Sequence, residues 1–306
     1  MTSIEHEPLP AGSVRRLTAH YGPSIATWLQ SAPKLVVEIS ARYGLRFHGF
    51  HDAGWTSVVA TATTDLDEQP VIIKAVPEAR RFAREAAALT HWCGIGACRL
   101  LHADRTDQVL LLSTVEQVGG ACRPPDHQTR VGAVLPSLHA RRLTAHPDVP
   151  DLARSYKERI SPRIAASPHL HKVCGSEVVQ ALIRMGFKAL DQAGPAVMLH
   201  ADLYRENVLF DAGGAPVCID PRGRRGPAEF DWAFWTVLYD RGGFTERFRI
   251  ASKADAVDER ALLAWVAIIA AEGLHYHVAA GDWSAAQEML AILSSVPVEA
   301  AIWRST

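Results

Sequence analysis

The stretch His200 to Asp220, HADLYRENVLFDAGGAPVCID, gathers two carboxylates and an amide, Asp202, Asn207 and Asp220, around a tight turn. NVLF and PVCID are β-like, and DAGGA between them supplies residues that tolerate positive φ. Pairing the runs with Phe210 opposite Val217 and Val208 opposite Ile219 places Asn207 opposite Asp220 at the open end. Directly opposed residues have Cβ atoms about 4.5–5.5 Å apart. A hard cation between the two side chains can therefore take an oxygen from each, and Mg²⁺ accepts such a sparse set when water and phosphate complete it. Asp202, five residues before Asn207, can orient or deprotonate an attacking hydroxyl. The order H-x-D-x4-N, then Asp, is that of base, metal amide and metal carboxylate in kinases. Turn capping by the same three side chains is the structural alternative.

A site of this kind needs a ligand for nucleotide phosphates. Lys74 stands in the otherwise apolar run PVIIKAV, where a charge is costly without a partner. Glu85 on the following helix is the expected partner, with Glu78 as the competitor, and an edge-strand lysine in water is the alternative. The turn HDAGWTS has a single glycine, Gly54, so phosphates would meet its backbone amides and the hydroxyls of Thr56 or Ser57. After the last strand of this region, Ser113, Thr114 and Val115, up to Glu116, form the expected hinge, offering backbone N–H and C=O groups to an adenine edge.

The elements that must position these residues are legible as two regions. Gly22 to Tyr43 shows helical apolar spacing interrupted at Pro33, which predicts two short helices. LRFHGF, TSVVATAT, PVIIKAV, CRLLHAD and QVLLLSTV read as strands, with the helix EARRFAREAAALTHW between the third and fourth. VGGACRPPDHQ marks a break. Thr129 to Arg142, Leu152 to Ile160 and Ser176 to Gln192 then read as helices, with more after Asp231. The expectation is an α+β, bilobal chain: residues 1–116 form a nucleotide-binding lobe with a small antiparallel sheet, and residues 117–306 a larger, mainly helical lobe with the catalytic loop and acceptor site.

Composition removes several classes. Lys plus Arg (32) nearly balances Asp plus Glu (33), leaving no global field to gather nucleic acid or a membrane surface. MTSIEHEPLPAGS has acids where a secretory leader has bases. Five cysteines in no repeated spacing fit a reduced cytoplasm, and all five read as packing residues. The apolar run ALLAWVAIIAA, stopped by Glu272, reads as a buried helix too short to cross a bilayer. HLHKVC lacks the fourth ligand of a zinc site.

At these residues the sequence resembles the aminoglycoside phosphotransferases, antibiotic kinases with a protein-kinase-like fold. The branch that includes streptomycin 6-phosphotransferases and hydroxyurea kinases is the most similar. HADLYRENVL corresponds to the family's catalytic loop and IDPRG to its I-D-P, with similar segments at ATWLQSAPKLV, CRLLHADRTDQVLLLSTV and IDPRGRRGPAEFDW. The resemblance implies Asp202 as catalytic base, Asn207 and Asp220 as Mg²⁺ ligands, Lys74 as phosphate-binding lysine, and Asp231 as the residue that holds the catalytic loop. It implies ATP or GTP as cosubstrate and a small hydroxylated acceptor, a cationic antibiotic. Ala201 and Tyr204 replace the usual Gly and His, and STV replaces an acidic hinge residue. PRGRRG adds Arg222, Arg224 and Arg225, either a solvated loop or a contact to the γ-phosphate or an anionic group. From Pro227 to Thr306 eleven acids face six bases, a net −5 that favours a basic acceptor. Trp232, Trp235, Tyr239, Trp265 and Tyr276 read as core, with stacking on a sugar or base as the alternative.

Overall fold

The computed structural model describes residues 7–115, 123–255 and 257–296. The chain divides into two compact units, Met1–Glu116 and Gln117–Thr306. The hinge position Glu116 lies outside the described residues.

The first unit is built on a five-stranded antiparallel sheet ordered β1-β2-β3-β5-β4: β1 (Leu45–His51), β2 (Val58–Thr64), β3 (Pro70–Ala75), β4 (Leu100–Asp104) and β5 (Val109–Ser113). Alternation along β3 sends Val71, Ile73 and Ala75 to one face. Leu17 of α1 (Ala11–Tyr21) and Leu29, Val36 and Ile39 of α2 (Ala26–Arg42) cover that face. Lys74 points to the other face, with α3 (Ala79–Trp92). Both strands beside β3 pair with Lys74, through Val59 and Leu110, which removes the edge-strand alternative.

In one respect the structure departs from the sequence expectation here, and it adds one element. Pro33 does not divide a helix pair: α2 runs through it. The lost hydrogen bond and the ring's clash one turn back cost about 3 kcal/mol. The stripe Leu29, Ala32, Val36 and Ile39 continues across the proline onto the sheet, and its burial offsets that cost. Helix α1, in AGSVRRLTAHY, had no sequence signal, because Leu17 is its only large side chain in the core.

The second unit contains α4 (His127–His139), α5 (Leu152–Ser155), a π-helical turn over Tyr156–Ile160, α6 (Ser161–Ala165), α7 (Pro168–Cys174) and α8 (Ser176–Asp191). Two small antiparallel pairs follow: β6 (Val197–Leu199) with β9 (Arg224–Gly226), and β7 (Val208–Phe210) with β8 (Pro216–Cys218). The unit continues with α9 (Glu229–Leu238), α10 (Phe244–Ala251), α11 (Glu259–Ala280) and α12 (Trp283–Ser295). Helix α11 continues through Glu272 rather than stopping there, and by length and composition it could cross a bilayer. Its residues from Ala264 to Ala271 are all buried within this unit, between α8, α9 and α12, as in a core helix that is apolar all round. Trp232, Trp235, Tyr239 and Trp265 are core residues, whereas Tyr276 is exposed.

Candidate active site

In the first unit, Lys74 and Glu85 are both fully buried, and Lys74 Nζ stands 2.6 Å from Glu85 Oε1. Glu78, the other candidate partner, is exposed at the N-terminus of α3. Two charges so placed stabilise each other only as a pair, since either alone would be a buried, uncompensated ion.

The turn between β1 and β2 requires Gly54: its φ is +87°, and a Cβ there would lie 2.7 Å from the Ser57 carbonyl. Thr56 and Ser57, whose hydroxyls were the expected phosphate contacts, are buried, whereas residues 51–55 of the turn are accessible. At the expected hinge, Ser113 still belongs to the sheet. Its N–H donates to Arg99 O (2.9 Å), and its Oγ accepts the Arg99 N–H (3.0 Å). Thr114 and Val115 continue beyond the strand, partly exposed.

In the second unit, the loop after β6 hangs from one carboxylate. Asp231, in the first turn of α9 and wholly buried, accepts the N–H of His200 on Oδ2 (2.7 Å) and that of Ala201 on Oδ1 (2.8 Å). His139 Nε2 approaches the same Oδ2 at 3.0 Å. A negative charge is favoured at a helix N-terminus, and here it also satisfies two buried backbone donors. Ala201 adopts φ +58°, a left-handed conformation that disfavours a side chain. Its N–H bond to Asp231 helps hold it there.

Asp202 emerges from this loop nearly buried, with 7% of its surface exposed. Asn207 Nδ2 donates to its backbone oxygen (2.8 Å) and to Oδ2 (3.2 Å), while Arg222 Nε stands 3.0 Å from Oδ1. Tyr204, in the place of the family's histidine, packs edge-on against Phe234 with ring centroids 5.0 Å apart, and burial pushes its phenol up to about 12.

The hairpin register differs by one residue from the sequence expectation. Val208 pairs with Cys218, Leu209 with Val217 and Phe210 with Pro216. The Ile219 N–H donates to Asn207 O at 2.9 Å. The cause lies in the turn, where Asp211 Oδ1 accepts the N–H groups of Gly213 and Ala215, and the Asp211 N–H donates to Ala215 O. Asp220 therefore lies one step past the residue opposite Asn207, where a regular strand would send its side chain to the other face. Instead Asp220 takes φ +59° and leaves the strand path. Buried His200 connects the two segments: its Nε2 donates to Ile219 O (2.9 Å), and its backbone oxygen accepts the Arg222 N–H (2.9 Å). Burial lowers the pKa of its imidazole against the opposing charges of Asp231, Asp202 and Asp220.

The donor set suits a hard cation. Asn207 turns its Nδ2 to Asp202, which leaves Oδ1 as a neutral oxygen donor, and Asp220 is the carboxylate next to Ile219, whose N–H donates to Asn207 O. No cluster of three or more His, Cys, Asp or Glu with metal-ligand placement exists among the described residues. An ion held here would thus draw its remaining ligands from water and phosphate. The three arginines separate. Arg222 faces Asp202, Arg225 pairs with Asp151 (2.6 Å) and donates to Leu143 O (3.1 Å), and buried Arg224 donates to the carbonyls of Arg222 and Gly223.

The sequence model of the aminoglycoside/hydroxyurea antibiotic resistance kinase family matches residues 51–278. A search of curated proteins finds no match. Among solved structures, macrolide 2'-phosphotransferase MphH from Brachybacterium faecium is similar at a TM-score of 0.54 and 15% identity, over 86% of this chain and 97% of that one. Choline kinase LicA from Streptococcus pneumoniae gives 0.59 and 12%, over 87% and 99%. A thermostable mutant of aminoglycoside phosphotransferase APH(4)-Ia, in ternary complex with ADP and hygromycin B, gives 0.56 and 13%, over 86% and 97%. At these identities the likeness is one of fold, that of protein-kinase-like phosphotransferases.

Proposed function

We propose that this chain, which belongs to the aminoglycoside/hydroxyurea antibiotic resistance kinase family, transfers the γ-phosphate of ATP or GTP to a hydroxyl of an aminoglycoside-like antibiotic. The observation that carries the reading is the setting of Asp202: a nearly buried carboxylate, fixed by Asn207 and Arg222, on a loop suspended from Asp231.

In this reading Asp202 accepts a hydrogen bond from the acceptor hydroxyl and takes its proton as the oxygen attacks phosphorus. Lys74, oriented by Glu85, neutralises charge on the nucleotide's phosphates. The accessible backbone of the turn around Gly54 covers those phosphates, and the backbone of Thr114 and Val115 meets the base. Asn207 and Asp220 would hold Mg²⁺, which supplies neutralisation of the charge on the transferring group. Asp231 touches no substrate and keeps Asp202 in place. The acidic excess after Pro227 supports a cationic acceptor.

A second acceptor class has one observation in its favour. Arg222 puts a half-exposed guanidinium beside the base, which suits an acceptor bearing an anionic or neutral group near the reacting hydroxyl better than a uniform polycation. The test is nucleotide consumption with Mg²⁺ across a panel of aminoglycosides, other hydroxylated antibiotics and hydroxylated metabolites. Stimulated release of ADP or GDP by an aminoglycoside, with the phosphate found on that compound, supports the first reading. Stimulation only by anionic or neutral acceptors supports the second, and no stimulation by any compound contradicts both.

A further inference from the structure

Helix α1 lies outside the family match, which begins at residue 51, yet it is bonded directly to the turn that the kinase reading sets over the phosphates. Arg16 Nη2 stands 2.7 Å from Asp52 Oδ1, and Arg16 Nε donates to Gly54 O at 3.2 Å. Ser13 Oγ donates to Asp52 Oδ1 (3.1 Å) and also lies 3.5 Å from Ala53 O. Tyr21, the last residue of the helix, donates its hydroxyl to Thr56 O at 2.9 Å. The approach leaves no room at Gly12, where a Cβ would lie 2.4 Å from Asp52 Oδ2.

The carbonyls of Ala53, Gly54 and Thr56 therefore all turn toward donors from α1. In a trans peptide the N–H points opposite to the C=O. The N–H groups of Gly54 and Trp55, the accessible part of this turn, are thereby directed away from α1, and the buried Ser57 N–H follows them. A short run of amides aimed the same way is an anion-binding concavity, and Arg16 adds a positive charge behind it. A turn with a single glycine and no glycine-rich motif needs some such device to keep its amides aligned.

We propose that α1 is a brace that presets the β1–β2 turn for nucleotide phosphates, with Arg16 as the positioning residue that sets nucleotide affinity. The proposal rests on the kinase reading and identifies what the turn binds: the phosphate chain of a nucleoside triphosphate. Arg16 touches no substrate and acts through Asp52 and Gly54. Preorganisation of this kind strengthens binding by removing the ordering cost of the turn.

The experiment compares the full chain with Arg16→Ala, Arg16→Lys and Gly12→Ala by amide hydrogen exchange without ligand, calorimetric titration with Mg–ATP, and steady-state kinetics. In Arg16→Ala and Gly12→Ala the amides of Gly54, Trp55 and Ser57 are expected to exchange faster. Mg–ATP should bind roughly five- to tenfold more weakly, with nucleotide KM rising to match, while acceptor KM and kcat stay within about twofold. Arg16→Lys should recover part of the affinity, because it restores one donor and the charge but not the two-point contact. Unchanged exchange in that turn would overturn the brace, whether or not the protein binds nucleotide. Faster exchange with unchanged Mg–ATP affinity would overturn its role in binding. Failure of the unmodified protein to bind Mg–ATP would instead contradict the kinase reading, and the inference with it.

Discussion

Arg222 Nε stands 3.0 Å from Oδ1 of Asp202, and the backbone N–H of the same arginine donates to the carbonyl of His200, two residues before that aspartate. One residue thus meets the loop at both its backbone and the side chain proposed as its base. Replacing Arg222 by Ala is expected to lower kcat about ten- to a hundredfold through misplacement of the carboxylate, with nucleotide KM little changed. Lys at this position should fall between, since it keeps the charge but not the planar fork. Steady-state kinetics of the three proteins checks both statements.

Lys74 and Glu85 form a pair whose members depend on each other. Lys74→Met leaves Glu85 as an uncompensated buried ion and should cost about 3–5 kcal/mol of stability, as should Glu85→Leu. The double variant Lys74→Met/Glu85→Leu should recover much of that loss while remaining inactive. Urea denaturation of the four proteins separates the structural share of the pair from its catalytic share.

Asp231 satisfies two buried backbone donors and meets His139. Asp231→Ala should destabilise the chain by about 2–5 kcal/mol, because each orphaned N–H carries its own desolvation penalty. Activity should fall even under conditions where the variant is folded. Asp231→Asn, which retains one acceptor oxygen, should lie between, by chemical denaturation and by turnover.

Burial holds His200, His127 and His277 below the ordinary histidine pKa of 6.5. The unfolded chain takes up protons near that value while the native form does not, so stability should fall as pH drops below about 6.5 and should be insensitive to these groups above it. The midpoint of thermal unfolding measured from pH 8 to 5 reads this. His200→Gln, which cannot titrate, should flatten the lower part of the curve.

What could be read before the structure follows from which signals are local. Lys74 stood out because a lone charge in an apolar run demands a partner, and Glu85 lay within one helix of it. The strands were legible from their short β-rich runs bounded by turn residues. The one-residue slip of β7 against β8 was not, because it depends on Asp211 bonding across its own turn, which alternation alone cannot distinguish from a neighbouring register. Pro33 predicts a break because its cost is local, whereas the burial that offsets it comes from a sheet formed later in the chain. Arg222 could be listed with Arg224 and Arg225 but not separated from them, since only the folded loop decides which arginine reaches Asp202. Helix α1 gave no warning because its work is polar and long-range, from Ser13 and Arg16 to a turn near residue 52.

Under the proposed function Asp202 accepts the proton of an acceptor hydroxyl while other residues bind the nucleotide. The direct measurement pairs calorimetric titration of Asp202→Asn with Mg–ATP against its turnover on the best acceptor. Nucleotide affinity should stay within about threefold of that of the unmodified protein, and turnover should fall by about two to four orders of magnitude. Turnover near that of the unmodified protein would contradict this role of Asp202.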